Sequence, residues 1–171
     1  MQGSQVLPQE ISTLLITGGS GSGTTELTAF DAALADAGIH NANLIRVSSI
    51  TPATATTHIS RADTVESAIT PGEFVPVVYA RCQSCDPGDT ICAAVAGATL
   101  EEGYGVNVEH HERNTTSSAV EKACLSKLDE LAAIRESSIS ADPWVHSIET
   151  NVPPSNEAER WYCAVAAIVY R

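Results

Sequence analysis

The segment from Trp161 to Tyr170 constrains the fold of this chain more than any other part of the sequence. Successive side chains of a β-strand point to opposite faces, and both faces of this predicted strand are apolar or aromatic. One face carries Trp161, Cys163, Val165, Ala167 and Val169, and the other carries Tyr162, Ala164, Ala166, Ile168 and Tyr170. The segment from Ile91 to Leu100 is also apolar on both faces. We therefore expect both strands to be covered on both sides.

Two sheets packed face to face, each with a helix layer on its outer side, cover such strands. The sequence predicts seven strands, and no linker or repeat divides the chain. The predicted strands are 12–17, 41–49, 74–81, 91–100, 104–111, 144–149 and 161–170. The fold class is therefore α/β, a four-layer α-β-β-α sandwich with mainly antiparallel sheets, in a single domain spanning residues 1–171.

Two helices are predicted from their capping residues. The first begins after a cap at Thr24 or Thr25 and ends at Gly38. The second begins with the capping box Ser118-x-x-Glu121. The polar segment 51–70 is predicted to be a loop.

The charge balance and the cysteines narrow the possible function classes. Of 171 residues, 21 are Asp or Glu and 9 are Lys or Arg, which gives a net charge of −12. A chain this acidic repels phosphate backbones, so we expect no nucleic-acid partner. No run of about 18 apolar residues is present, and residues 1–10 lack the features of a signal peptide, so we expect neither a membrane span nor secretion. The five cysteines, an odd number, favour a reducing cytoplasm over a disulfide framework.

Two motifs suggest ligand sites that the rest of the sequence does not support. The run Gly18-Gly19-Ser20-Gly21-Ser22-Gly23 resembles a phosphate-binding loop, but the lysine of such a loop and the dinucleotide glycine spacing are absent. A mobile entry loop is the preferred interpretation. Cys82-x-x-Cys85, with Cys92 beyond it, suggests zinc, but a second CxxC is missing, and the adjacent His110 and His111 face opposite sides of a strand. We therefore expect no metal and free cysteines.

Two carboxylates, Glu109 and Asp31, are unremarkable by pattern alone. Glu109 shares a strand face with Asn107 and His111, which predicts a solvated face. Asp31 follows Phe30 on the first predicted helix, beside its apolar stripe, and is predicted to lie on the surface.

The segment Asn43-Leu44-Ile45-Arg46-Val47-Ser48-Ser49-Ile50-Thr51-Pro52 changes this interpretation. It resembles the pyruvoyl-dependent arginine decarboxylase family, in which a serine pair at the end of a strand is the site of self-cleavage. Segments that resemble the same family, in the expected order, lie at 26–34, 38–44, 75–80, 91–96 and 105–109. Two features depart from the family: Pro52 is followed by Ala53 instead of a second proline, and the loop from Cys82 to Cys85 is different.

The resemblance implies autocatalytic cleavage between Ser48 and Ser49, which gives chains of residues 1–48 and 49–171. The second chain begins with a pyruvoyl group derived from Ser49, which forms a Schiff base with L-arginine and releases CO₂ and agmatine. By resemblance Asn43 positions the site, Glu109 returns a proton to the substrate carbon, and Asp31 binds the guanidinium. Asp31 is expected to come from the neighbouring subunit of a homotrimer or a dimer of trimers.

The serine pair also suits this chemistry for a physical reason. The Ser49 hydroxyl can attack the carbonyl of Ser48, and a twisted peptide with a hydrogen-bond donor at the oxyanion lowers the barrier. Three alternatives stay open: a pyruvoyl decarboxylase of another amino acid, an uncleaved non-enzymatic homologue, and a nucleotide-binding module.

Overall fold

The structure is a computed structural model that describes residues 10–155 and 159–171. Residues 1–9, which carry most of the segment used to predict the absence of a signal peptide, lie outside these ranges. The described residues form nine strands and three helices. In chain order these are β1 (Thr13–Gly23), α1 (Glu26–Asp36), β2 (Asn43–Arg46), β3 (Ile50–Thr51), β4 (Thr56–Ile59), α2 (Ala62–Ser67), β5 (Phe74–Ser84), β6 (Thr90–Thr99), β7 (Gly105–Arg113), α3 (Ser117–Ile134), β8 (Trp144–Asn151) and β9 (Trp161–Tyr170).

The strands form two sheets that pack on each other, as the two-sided apolar strands predict. One sheet has the order β2-β5-β9-β1-β4 and the other has the order β3-β7-β6-β8. All pairings are antiparallel except β1 with β4 and β2 with β5. Three layers of apolar side chains separate four layers of structure: one under α1, one between the sheets and one under α3. The α-β-β-α sandwich is therefore confirmed.

β9 lies at the centre of the five-stranded sheet and is buried on both faces. Val165 and Val169 pack toward α1, whereas Ala166 and Ile168 pack toward the second sheet. These four side chains are all 0% exposed. The prediction from the pattern of this segment is confirmed.

The predicted ends of α1 are also confirmed. Thr25 is the N-cap, and its hydroxyl accepts a hydrogen bond from the backbone N–H of Thr28. Gly38 follows the helix with a φ of +76°, a conformation that glycine adopts at little cost.

The glycine run at 18–23 belongs to β1, which corrects the prediction of a mobile loop. β1 continues through the run and pairs with β9 along it. A Cβ at Gly19 would lie 2.5 Å from the backbone nitrogen of Ala37, and one at Gly21 would lie 2.5 Å from that of Ala33. The glycines therefore allow the alanines of α1 to pack directly on the backbone of β1.

The prediction of a loop at 51–70 is wrong, because the segment contains the end of β3, all of β4 and all of α2. β4 pairs through its backbone with the start of β1 while its four side chains stay exposed, and α2 buries only Val65. Such elements leave no periodic apolar pattern in the sequence. The start of α3 also differs: Thr116 is the cap, accepting a hydrogen bond from the Ala119 N–H, and Ser118 lies inside the helix.

None of the described helices has the length and apolar character needed to cross a membrane.

Candidate active site

The serine pair lies where the chain crosses from one sheet to the other. β2 ends at Arg46 on the edge of the five-stranded sheet, and β3 begins at Ile50 on the edge of the four-stranded sheet. Val47 still donates its N–H to the carbonyl of Val77, 3.1 Å away. Ser48 is exposed and Ser49 is half-buried. The peptide bond between the serines is therefore accessible, with both flanking segments anchored in separate sheets.

The carbonyl of Ser48 already has a hydrogen-bond donor. The Ile50 N–H donates to the Ser48 oxygen at 3.0 Å, which closes a three-residue γ-turn around Ser49. The φ of Ser49 is negative, which makes this the common inverse γ-turn. A donor in this position stabilises negative charge on the same oxygen when the carbonyl is attacked.

The face of β7 that carries Glu109 points between the two sheets, which corrects the prediction of a solvated face. Asn107 is only 2% exposed, Glu109 is half-buried, and only His111 at the outer end is exposed. The opposite face, with Val106 and Val108, packs under α3. The polar residues on this face predicted that it is exposed to solvent. The sequence did not show that the second sheet supplies polar partners on this side.

The partner of the Glu109 carboxylate is the guanidinium of Arg46. Arg46 Nη2 donates to Glu109 Oε1 at 3.1 Å and to the backbone oxygen of Tyr79 at 3.2 Å. Its Cζ also lies 4.7 Å from the centre of the Tyr79 ring. The side chains of Arg46 and Glu109 are 59% and 35% exposed. The Glu109 carboxylate is therefore held in one direction by Arg46 but is open to a ligand.

A cavity of about 440 Å³ opens beside Glu109, a size typical of small-molecule sites. It is lined by Arg46, Tyr79, Arg81, Glu109, His110, His111 and Lys127. Lys127 Nζ donates to the backbone oxygen of Glu109 at 2.8 Å. His111 is exposed at its outer side but partly desolvated by the cavity walls, and this desolvation lowers its pKa; the neighbouring cations lower the pKa further. The cavity thus concentrates positive charge in a chain whose net charge is −12.

Stacked side chains connect this cavity to α1. The rings of Tyr79 and Phe30 lie 5.8 Å apart between centroids, and the Arg81 guanidinium lies 4.7 Å above the Phe30 ring. Asp31, the next residue after Phe30, is exposed. It does not line the cavity beside Glu109. Within one protomer, the structure does not assemble Asp31 and Glu109 into one pocket.

Asn43 lies at the opposite end of β2 from the serine pair. Its Nδ2 donates to the backbone oxygen of Gly72 at 2.7 Å. Ser48 is five positions beyond Asn43, which corresponds to about 16 Å of extended chain. Asn43 instead lines an open apolar groove of about 460 Å³, together with Phe30, Leu34, Ala42, Leu44, Ile45, Phe74 and Tyr79. The structure therefore does not bring Asn43 to the serine pair of its own chain.

Among the described residues, including the cysteine motif, no three His, Cys, Asp or Glu side chains lie together in a group that could hold a metal ion. Cys82 Sγ donates to the backbone oxygen of Glu112 at 3.4 Å, and burial raises the pKa of its thiol. Cys92 is buried as well, and burial with the nearby Glu149 raises its pKa to about 11. These two thiols are parts of the core.

Two residues of the site, Arg46 and Asn107, were not identified from the sequence. Arg46 was part of the family-like segment, and its signal was an arginine directly after the apolar pair Leu44-Ile45, two residues before the serine pair. Asn107 gave a weaker signal, a polar residue between two buried valines. Neither pattern indicates a partner, because the partners lie on strands that are distant in sequence.

Comparison with known proteins agrees with the resemblance in the sequence. A family model described as pyruvoyl-dependent arginine decarboxylase matches residues 13–171. A protein of that name from Halobacterium salinarum is 41% identical over 107 residues, which are 63% of this chain and 65% of that relative. Proteins of the same name from Methanothermobacter thermautotrophicus and Methanopyrus kandleri are 36% and 30% identical, each alignment covering 91% of this chain and 93% of the relative.

Proposed function

Since the chain belongs to the pyruvoyl-dependent arginine decarboxylase family, we propose that it cleaves itself between Ser48 and Ser49 and then converts L-arginine to agmatine and CO₂. One observation carries the proposal: the Ile50 N–H lies 3.0 Å from the oxygen of the peptide bond to be cleaved. Glu109, on the strand that pairs with this segment, lies beside a cavity of suitable size.

The cleavage begins with attack of the Ser49 hydroxyl oxygen on the carbonyl carbon of Ser48. The C–N bond between the two residues breaks, the nitrogen takes the hydroxyl proton, and an ester links the two chains. Loss of the Cα proton of residue 49 and departure of the Ser48 carboxylate leave dehydroalanine. Tautomerisation to an imine and hydrolysis by one water release ammonia and leave a pyruvoyl group.

The fold can hold the two resulting chains together. The shorter chain contains β1, α1 and β2, and β1 pairs with β9 over ten residues while β2 pairs with β5. The Arg46–Glu109 ion pair would then join the two chains beside the new terminus. The apolar layer under α1 is built from both chains, so separation would expose it to water.

In the mature protein, the pyruvoyl ketone would take the substrate amine and accept the electrons left by CO₂. We assign the return of a proton to the substrate carbon to Glu109. The ion pair holds the Glu109 carboxylate 3.1 Å from the Arg46 guanidinium, so in this proposal the contact opens, or exchanges partners, when substrate enters.

Asp31 and Asn43 are assigned to a pocket shared between subunits of a homotrimer or a dimer of trimers. Asp31 is exposed on α1, where Leu27 is 73% exposed, and Phe74 at the nearby groove is 49% exposed. Large apolar side chains exposed around a groove favour contact with another protein surface. Asp31 would offer a carboxylate to the substrate guanidinium, which it matches in a bidentate way. We place the protein in the cytoplasm on the strength of its odd number of cysteines.

Mass spectrometry of the denatured protein tests the proposal. Wild-type protein is expected to give two chains, residues 1–48 and 49–171, the second lacking an amino terminus. Ser49→Ala is expected to give one intact chain, because no hydroxyl remains to attack. Ser48→Ala is the matched control, since it keeps the attacking hydroxyl and the attacked carbonyl, and it is expected to cleave. A single intact wild-type chain after prolonged incubation would refute the proposal.

A further inference from the structure

Asn107 is a polar side chain buried beside the serine pair. It is 2% exposed and lies on β7, opposite the segment that leads into β3. A buried amide is costly unless its polar atoms have hydrogen-bond partners. The contacts of Asn107 therefore indicate what it holds in place.

Three hydrogen bonds connect Asn107 to the cleavage segment and to the other sheet. Its backbone N–H donates to the Ser49 oxygen at 2.9 Å. Its Nδ2 donates to Thr51 Oγ1 and to the phenolic oxygen of Tyr170, each at 2.8 Å. Thr51 and Tyr170 are 8% and 3% exposed. Both amide protons are thus used, on strands from both sheets.

The surrounding backbone leaves room for this arrangement. Gly97 pairs with Asn107 across β6 and β7, and a Cβ at Gly97 would collide with Asn107 Oδ1. A Cβ at Gly105 would lie 2.9 Å from the Cβ of Thr51. Burial raises the pKa of Tyr170, against the effect of its hydrogen bonds with Asn107 and Thr51. The phenol therefore stays neutral as a hydrogen-bond partner.

We propose that Asn107 is a positioning residue for self-cleavage, because it fixes residues 49 and 51 and so aims the N–H of Ile50 between them at the Ser48 oxygen. This inference rests on the proposed cleavage between Ser48 and Ser49. Attack on the preceding carbonyl needs the reacting atoms to be held about 3–3.5 Å apart. The backbone N–H of Asn107 binds residue 49, and its side chain binds residue 51, so the contacts lie on both sides of the oxyanion donor. The bond to Tyr170 connects this segment to the core between the sheets.

The test measures the rate of self-cleavage in newly synthesised chains during cell-free translation. Asn107→Ala and Thr51→Val are expected to slow cleavage by about tenfold to a hundredfold, since small displacements of a reacting group cost that much. Thr51→Ser keeps the hydroxyl and is expected to restore the rate. Leu128→Ala, in the core under α3, is the control: it lowers the unfolding midpoint but leaves the cleavage rate unchanged.

Hydroxylamine separates the attack step from later steps, because it cleaves an ester once formed. If Asn107 acts through the Ile50 N–H, the variant forms its ester slowly and hydroxylamine does not restore chain scission. Scission of Asn107→Ala at the wild-type rate, with or without hydroxylamine, would overturn the inference. So would equal slowing in Leu128→Ala or in Thr51→Ser. Failure of the wild-type chain to cleave would instead overturn the proposed function, on which the inference rests.

Discussion

At the scale of single residues, the ion pair between Arg46 and Glu109 joins side chains from the two sides of the proposed cleavage point. Arg46 lies on β2, which precedes the cleavage point. Glu109 lies on β7, which pairs with β3 just after the cleavage point. An ion pair with both side chains partly exposed adds little to the free energy of folding. Its function in the proposed enzyme is therefore to orient the Glu109 carboxylate toward the cavity.

Replacing Glu109 with Gln is expected to lower the rate of arginine decarboxylation about 10²- to 10⁴-fold, the usual contribution of a general acid. The amide keeps the size of the side chain and can still accept a hydrogen bond from Arg46, but it carries no carboxylic proton. The measurement is kcat with arginine, on protein shown by mass to be cleaved.

Glu112→Gln is the matched control, because Glu112 is an exposed carboxylate on the same strand. Its kcat is expected to equal that of the wild-type protein. Normal turnover by cleaved Glu109→Gln would remove Glu109 from the mechanism and make Glu112 the next carboxylate to consider.

At the scale of secondary-structure elements, the contact between β1 and α1 depends on missing side chains. Gly21→Ala is expected to destabilise the protein by about 1–3 kcal/mol, because the new methyl group meets the α1 backbone in a packed layer. The distance from that Cβ to the Ala33 nitrogen would be 2.5 Å. Chemical denaturation of the uncleaved Ser49→Ala form measures the effect.

Ser20→Ala is the control for this substitution, since it lies on the same strand and adds no atoms. Its unfolding midpoint is expected to change less than that of Gly21→Ala, because only the hydroxyl of a half-buried side chain is removed. Equal midpoints for Gly21→Ala and Ser20→Ala would show that α1 can move away from β1 at no cost.

The sequence predicted the elements that have strong periodic patterns. Both faces of β9 were identified correctly, and the cap of α1 was narrowed to Thr24 or Thr25, of which the structure has Thr25. β4 and α2 were missed because they are short and owe their structure to backbone pairing or to one buried residue, Val65. The glycine run was misjudged because its role is to let α1 pack closely against the backbone of β1. Likewise, the burial of Asn107 depends on Tyr170, a partner 63 positions away.

At the scale of the whole molecule, acid is expected to destabilise the fold. Partial desolvation lowers the pKa of His111 and His146 below the usual 6.5. The unfolded chain therefore binds more protons than the folded chain as the pH falls through this range. The contribution of these two histidines to the free energy of unfolding is therefore at its full value above about pH 6.5 and decreases as the pH falls below it. Protonation of Glu73, whose pKa is lowered by hydrogen bonds with Thr70 and Arg171, adds a loss below pH 4.5.

Unfolding midpoints of Ser49→Ala protein at a series of pH values measure this dependence without interference from chain cleavage. His146→Gln is expected to reduce the slope below about pH 6.5, because one of the two groups responsible is removed. His58→Gln, at an exposed position, is the control and is expected to leave the slope unchanged. A midpoint that rises as the pH falls would contradict the sign of the effect.

Also at this scale, Asp31 tests whether the proposed active site is shared between subunits. Asp31→Asn keeps the shape of the side chain but loses its charge. It is expected to leave self-cleavage intact and to lower kcat/KM for arginine about tenfold to a hundredfold, the equivalent of about 1.5–3 kcal/mol for a hydrogen bond to a charged group. Asp31 is exposed within one protomer, and the proposal assigns the rest of its pocket to a neighbouring chain.

Subunit mixing distinguishes a shared pocket from a pocket within one chain. Asp31→Asn chains supply a cleaved Ser49 but no carboxylate, and Ser49→Ala chains supply Asp31 but no pyruvoyl group. When equal amounts exchange at random in a cyclic trimer, about a quarter of the sites combine an intact Ser49 from one chain with an intact Asp31 from the next. Arginine decarboxylation should then rise above that of either parent, toward a quarter of the wild-type rate. If native mass spectrometry shows mixed trimers and activity does not rise, Asp31 acts within its own chain or has no part in binding arginine, because no mixed trimer contains both intact residues in one chain.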